Sequence, residues 1–547
     1  MGSGPRGLLI VAIILLGLCE WLWIVHSAMS HIADLVPKTI SAQQEAPLRA
    51  LAGKHGHLFS NAEVYAFLAA AKQAEKIKDP LQRCLAYPDP PGSHWSHAAA
   101  NAYCQYRMQH LMPFAELRSL IQNGQAAEVD RRFAQMLDAQ STQLNARGLL
   151  DRTFELDFDG SFDIRPTLDA WKRDSPKSAF AYAASGYAYR EMAAQARGGA
   201  YMADTPASNV ESMDRLLQQA DTDLRHAIEL NPRITPAYVA MIDAGTMSLG
   251  DAYADEASRR GLAADPANFG IYDSLLWRAL PRWGGSLEAM TQLASNAQAH
   301  AKENPILTLL STKEPAEEIN LDDCDCHTAA QLAMYTVVFD QVSTAQLLLS
   351  AGHAAESSHH PELAVVYFSE ALRFDPDLAD ERLHRIYELN NFDESQWAVD
   401  EASSMMQAAP QDEAPVKLRG YSYEALGDYK HAGQDFEKAL SLNPDDESVL
   451  MELGSMYAHW SHEWDKAWDT DNRIIKAYPN ESYGWYLRGE IQKNQPRAGL
   501  QETIDYFAAH FDTNPQAHKM LLQMRAALAL QSRSVSQRSE MKSTTHD

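Results

Sequence analysis

The chain has 547 residues, 46% of them hydrophobic, enough to bury a large core as two to four ordinary domains or as one long solenoid. Its formal net charge of −26, from 47 Lys and Arg against 73 Asp and Glu, argues against a nucleic-acid binder, since phosphate binding needs a cationic stripe and the sequence shows none. Basic or neutral protein partners suit the acidic surplus, which also serves solubility.

Leu8 to Val25 is apolar except for Glu20, and at about 1.5 Å per residue the run reaches roughly 27 Å, about the hydrocarbon thickness of a bilayer. Arg6 precedes it and no cluster of Lys or Arg follows closely, so the positive-inside rule keeps Met1 in the cytoplasm and sends the body of the chain across. Residues 1–29 are therefore expected to be a cytoplasmic tip and a signal-anchor helix in the inner membrane. Cleavage after Ser27 is the competing reading; a lipoprotein box at Cys19 is disfavoured because Leu18 is too large. Residues 30–59 read as a polar stalk.

Compact structure is expected from residue 60, where Asn61 is placed to cap the helix AEVYAFLAAAKQAEKI. In the helical region 60–116, Cys84 and Cys104 flank a loop rich in Pro, Gly and His, CLAYPDPPGSHWSHAAANAYC, with little else to hold it. A disulfide is the favoured reading, worth about 3 kcal/mol for a loop of this length in the chain-entropy model; two separate buried thiols are the alternative. Residues 117–305 are expected to be a helical domain containing a split hairpin. Tyr182, Gly186 and Tyr189 share a face of its first helix, and Ala220, Ala227 and Pro232 mark its second. The extra residues between the two halves carry Arg197-Gly198-Gly199 and Asn209, and Trp283 follows beside Gly284 and Gly285. Arg197 offers a bidentate donor, the glycines allow close backbone approach, Asn209 both donates and accepts, and Trp283 supplies an aromatic wall. Together they make a candidate grip for a carboxylate or a peptide backbone. Alternatively the insertion only seals a seam between the halves of the solenoid.

On the strings ARGGAYMADTPASNVESM, DLRHAIELNPRITPAY and PRWGGSLEAM, this region resembles the bacterial family catalogued as domain of unknown function 4034, which has no established activity to carry over. The resemblance implies a bacterial protein, and with the N-terminal anchor it puts the bulk of the chain in the periplasm.

Periodicity is lost over 306–344 and returns over 345–531. Helix-ending prolines stand at Pro376, Pro410, Pro444, Pro479 and Pro515, at intervals of 34 to 36 residues, and they coincide with small and aromatic positions. The clearest unit is Glu413 to Pro444, with Gly420 and Tyr423 on one helix face, Ala432, Phe436 and Ala439 on the next, and Pro444 as the stop. These six residues resemble a tetratricopeptide repeat. The resemblance implies an all-α right-handed solenoid of stacked helical hairpins whose first helices line a curved face for an extended segment of another protein. Lys417, Arg419, Glu452, Tyr486 and Arg488 are the expected contact positions, Gln516 to Gln531 the expected capping helix, and 532–547 a disordered tail.

Catalytic and metal motifs are weak. Asp322-Asp323-Cys324-Asp325-Cys326-His327 is too tightly spaced to close a tetrahedral site, so it reads as a local disulfide or an acidic loop. His55-x-His57 and His94-x-x-His97 lie in loops, and Asp157 to Asp163 lacks the glycine and glutamate positions of a calcium loop. No nucleophile elbow, phosphate loop or dinucleotide fingerprint occurs. The expectation is a non-catalytic binding scaffold without cofactor or metal; a chaperone or assembly factor, or an enzyme on envelope peptides or glycans with its site in 117–305, are the alternatives.

Overall fold

The computed structural model describes residues 56–321, 328–495, 497–513 and 515–543; the expected membrane segment 8–25, most of the stalk, and Cys324 and Cys326 lie outside them. Among the described residues every regular element is helical, and no helix is long and apolar enough to cross a membrane.

The N-terminal unit is α1 (Asn61–Ala74), α2 (Pro80–Ala86) and α3 (His97–Arg107). The cap of α1 falls one residue before the expected Asn61. Ser60 accepts from the Glu63 N–H and the Glu63 carboxylate reaches back to the Ser60 N–H, so two otherwise orphaned donors are satisfied. Cys84 on α2 and Cys104 on α3 form the expected disulfide. Helices α4 (Phe114–Gln122), α5 (Ala126–Thr142), α6 (Leu149–Asp157) and α7 (Arg165–Asp174) follow. They lead into antiparallel pairs: α8 and α9 (Ala179–Arg197, Ala207–Leu230), α10 and α11 (Thr235–Ala244, Asp251–Ala264), and α12 and α13 (Phe269–Arg278, Leu287–Gln298).

Three short helices, α14 (Lys313–Glu318), α15 (Ala329–Ala333) and α16 (Tyr335–Val338), bridge to the second run of pairs. These are α17 and α18 (Ala345–Ser357, Pro361–Phe374), α19 and α20 (Ala379–Leu389, Ser395–Ala408), α21 and α22 (Glu413–Ala425, Tyr429–Leu442), α23 and α24 (Glu447–His459, Trp464–Ala477), and α25 and α26 (Ser482–Asn494, Leu500–His510). The closing helix α27 (Pro515–Ser543) runs past the expected end at Gln531, so the backbone stays helical where a disordered tail was expected.

One device recurs at the repeat period. Arg385 on α19 pairs with Glu401 on α20 at 2.5 Å, and 34 residues later Arg419 on α21 forks onto Asp435 of α22 at 2.7 and 2.8 Å. Each pins the first helix of a pair to its second by charge-assisted hydrogen bonds.

The N-terminal unit does not stand apart. Residues from Phe59 to Cys104 share one core with residues from Ile306 to Ala402. Trp95 donates its indole N–H to the Phe339 carbonyl at 2.9 Å and stacks on Phe374. The Ala345 N–H donates to the Tyr103 hydroxyl at 3.0 Å, and Arg373 donates to the Cys84 carbonyl at 2.9 Å. Arg385 adds an ion pair to Glu75 of α1 at 2.9 Å. A second core, from Met112 to Leu275, holds α4 to α12 together.

Candidate functional site

The insertion predicted within the split hairpin is not a separate loop. Its residues lengthen both helices, so that α8 ends at Arg197 and α9 begins at Ala207, and only a short link with one 3₁₀ turn (Met202–Asp204) joins them. Gly198 caps α8 at φ +81°, a conformation that favours glycine. The end of α8 and the link after it line a groove together with α10 and α12, and α8, α10 and α12 are the first helices of three successive pairs.

Two adjoining cavities of about 560 Å³ each occupy this groove and share Arg190, Asp243, Asp273, Ser274 and Trp277. Along the outer one, α10 passes into a π-turn (Gly245–Leu249) that presents Thr246 and Met247 to the cavity; such turns recur at functional sites. The rim there is aromatic and accessible. Tyr201 is 63% exposed, Trp277 50% and Trp283 37%, with ring centroids 6.4 Å apart for Tyr201 and Trp283 and 6.0 Å for Trp277 and Trp283. Single exposed aromatics need no explanation, but these three stand side by side, and Trp277 and Trp283 line the outer cavity.

The charged residues of the inner cavity are predominantly acidic. Asp151, Glu155, Glu191, Asp243, Asp273 and Asp375 line it against Arg107, Arg190 and Lys313, six carboxylates to three cations. Arg190 lies 2.7 Å from Glu191 and 3.4 Å from Asp243, with its guanidinium over the Tyr187 ring at 4.6 Å, and Lys313 pairs with Asp273 at 2.5 Å. Burial pushes the Asp151 carboxyl up to about 6, against the hydrogen bonds it accepts from Thr235, Asn268 and Gln140 at 2.5, 2.7 and 3.1 Å. Burial also raises Glu191 and Asp243, with Arg190 pulling the other way.

Of the residues singled out from sequence, Arg197, Gly198 and Trp283 line the outer cavity together. Gly199 and Asn209 are not among its lining residues; Gly199 is exposed with open space around it, and Asn209 sits half-buried in the first turn of α9. Lys417, Arg419 and Arg488, expected on the partner-facing surface, each make an ion pair within the stack. Lys417 pairs with Asp446 at 2.9 Å, Arg419 with Asp435, and Arg488 with Asp471 at 2.5 Å. Tyr486 donates to Gln523 at 3.0 Å, and Glu452 is half-buried with its carboxyl raised by burial.

Sequence reasoning missed the α10 and α12 side of the groove. Its signal was present: Asp243 is the only charged residue in the largely apolar helix TPAYVAMIDA, and Asp273 is the only acid in FGIYDSLLWR. A lone acid in a helix that buries most of its surface must face a partner, water or a cavity.

A tetratricopeptide-repeat family model matches residues 417–446, which covers most of the unit carrying Gly420, Tyr423, Ala432, Phe436, Ala439 and Pro444. Among solved structures, the chain is similar to yeast Tom70, with 11% identity over 77% of this chain and 99% of that one and a TM-score of 0.32. It is also similar to the APC/C hetero-tetramer Cut9–Hcn1, with 13% identity over 84% and 87% and a TM-score of 0.32. The tetratricopeptide-repeat domain of P58(IPK) gives 12% identity over 73% and 99%, with a TM-score of 0.22. At these scores the likeness says nothing of what this chain binds. Among curated proteins, none matches the chain.

Proposed function

We propose that the chain is a non-catalytic scaffold of tetratricopeptide-repeat type, anchored in the bacterial inner membrane through residues 8–25 with its bulk in the periplasm, and that its groove takes an extended segment of another protein. The observation that carries this reading is the pair of adjoining cavities along α8, α10 and α12, acidic within and aromatic at the rim. Even with Arg197 added, six carboxylates outnumber four cations, which complements a segment bearing Lys or Arg beside an apolar side chain for Trp277 and Trp283. The Cys84–Cys104 disulfide supports the compartment, because such bonds persist where the surroundings are oxidising. Release from the anchor by cleavage after Ser27 would leave the groove reading unchanged, and a chaperone or assembly factor differs only in the identity of the partner.

Crosslinking in intact membranes, followed by capture and mass spectrometry, tests the proposal. Wild-type protein should yield a protein partner in stoichiometric amount. Arg197→Ala and Trp283→Ala should each lower the yield on the order of ten-fold while the melting temperature holds. A partner retained in full by both variants overturns the groove assignment. The second reading, an enzyme on envelope peptides or glycans, is favoured by the raised carboxyls of Asp151, Glu191 and Asp243 within one cavity. It takes over if no partner is captured and peptidoglycan fragments are turned over by wild type but not by Asp243→Asn.

A further inference from the structure

His353 and Glu356 stand one turn apart on α17, and His384 on α19, the first helix of the following pair, faces them. One ligand atom from each lies within 4.8 Å of the other two, and all three side chains are half-buried. The His384 Nδ1 is 2.8 Å from the Glu356 carboxylate, and the two imidazole rings stand 4.8 Å apart at 89°.

Phe368 of α18 packs against both rings. It stacks on His384 with 22° between planes and 5.4 Å between centroids, and meets His353 edge-on at 5.0 Å. Phe368 is itself fully buried, and a Cβ at Gly352 would come within 2.7 Å of its ring, so the aromatic beside the pair has nowhere to move. Preorganised rings lose little freedom when they take a ligand.

We propose that His353, Glu356 and His384 form a zinc(II) site. Two imidazole nitrogens and one carboxylate oxygen are the ligand set of zinc sites that keep a position open, and half-burial leaves that position to water or to an outside group. Ligand atoms bound at about 2.1 Å stand about 3.4 Å apart around a tetrahedral ion, so atoms no more than 4.8 Å apart here need to close by at most about 1.4 Å. The site joins two neighbouring pairs of the stack, and the metal would fasten them on the face formed by their first helices.

The test uses the full chain with Cys324→Ser and Cys326→Ser throughout, so that those thiols contribute no binding. Metal-stripped protein is titrated with Co²⁺, read by its visible absorption, and then with Zn²⁺ in competition. The expected result is one equivalent of tight binding. His353→Gln and His384→Gln should each weaken it about 100-fold or more, beyond the loss typical of outer-shell partners. Glu356→Gln, which keeps the shape and removes the charge, should weaken it in the same direction and guards against a histidine variant that fails to fold. Binding by the parent no greater than by the His353→Gln/His384→Gln double variant overturns the site and leaves a Glu356–His384 ion pair with His353 as its packing neighbour.

Discussion

Gly420 has no room for a methyl group. A Cβ there would lie 2.6 Å from Phe436 Cε1 and 2.8 Å from Cδ1, and Phe436 is fully buried between α21 and its neighbours. Gly352 stands in the same relation to Phe368 two repeats earlier. Small residues at this position let two helices approach, and the aromatic fills the groove beside them. Gly420→Ala should therefore destabilise by about 1–3 kcal/mol through overpacking. Gly433, on α22 of the same hairpin, supplies the contrast. Its Cβ would meet only the Met456 sulfur at 3.3 Å, at the end of a flexible side chain, while alanine gains up to about 1 kcal/mol of helix propensity. Urea midpoints for the two variants check this: Gly433→Ala is expected at or above wild type and Gly420→Ala below it. Equal shifts would mean that backbone entropy, not close approach, explains both glycines.

Helix pairs were legible in the sequence because their packing is local. Gly420 meets Phe436 sixteen residues on, and the same spacing recurs at Gly352 and Phe368, so a periodic pattern records the contact. The unit ending at Pro410 forms its pair too, and Arg385 and Glu401 tie its two helices together. The seat of the N-terminal unit was not legible. Trp95 meets Phe339, Tyr103 meets Ala345, and Glu75 meets Arg385 across more than 240 residues, and contacts at such separations leave no repeat for a sequence to show. The groove was half legible: Arg197, Gly198 and Trp283 stood out as unusual residue types, whereas Asp243 and Asp273 were single acids whose meaning depends on which helices lie beside them. The disulfide tests how far the N-terminal unit is part of the stack. Cys84→Ser with Cys104→Ser should cost about 3 kcal/mol for a separation of 20 residues. Because Arg373 of α18 donates to the Cys84 carbonyl and pairs with Asp89 at 2.9 Å, hydrogen exchange should quicken in α18 as well as in α2. Faster exchange confined to α1–α3 would show the unit to be an appendage.

Over the whole molecule, buried acids set the response to pH. Burial lifts the carboxyls of Asp151 and Asp471 to about 6, Asp157 to about 7 and Glu370 to about 8, in the last case against the pull of Arg373. Each binds its proton more tightly when folded than when unfolded, so its contribution to stability falls as pH rises from about 4 through these values. Acids nearer the surface that have partners act in the opposite sense. Hydrogen bonds from Arg131 and Arg132 hold Glu128 at about 2, and those from His431 hold Asp428 below its usual range, so their contribution is present above about pH 4 and lost beneath it. The net charge of −26 at neutral pH adds self-repulsion on the alkaline side. The melting temperature should therefore peak near about pH 5 and decline toward pH 8. Asp157 isolates one contributor, since one of its oxygens is buried without a hydrogen-bond partner. Asp157→Asn keeps an acceptor for the Phe114 N–H but cannot ionise, so it should flatten the decline between about pH 4 and 7 and leave the acid limb unchanged. Calorimetric melting of both proteins from pH 3 to 9 gives the answer. A wild-type melting temperature that is level or rising between pH 5 and 8 would mean that these carboxyls reach water in the folded chain, and that the groove and the stack are more open than their packing indicates.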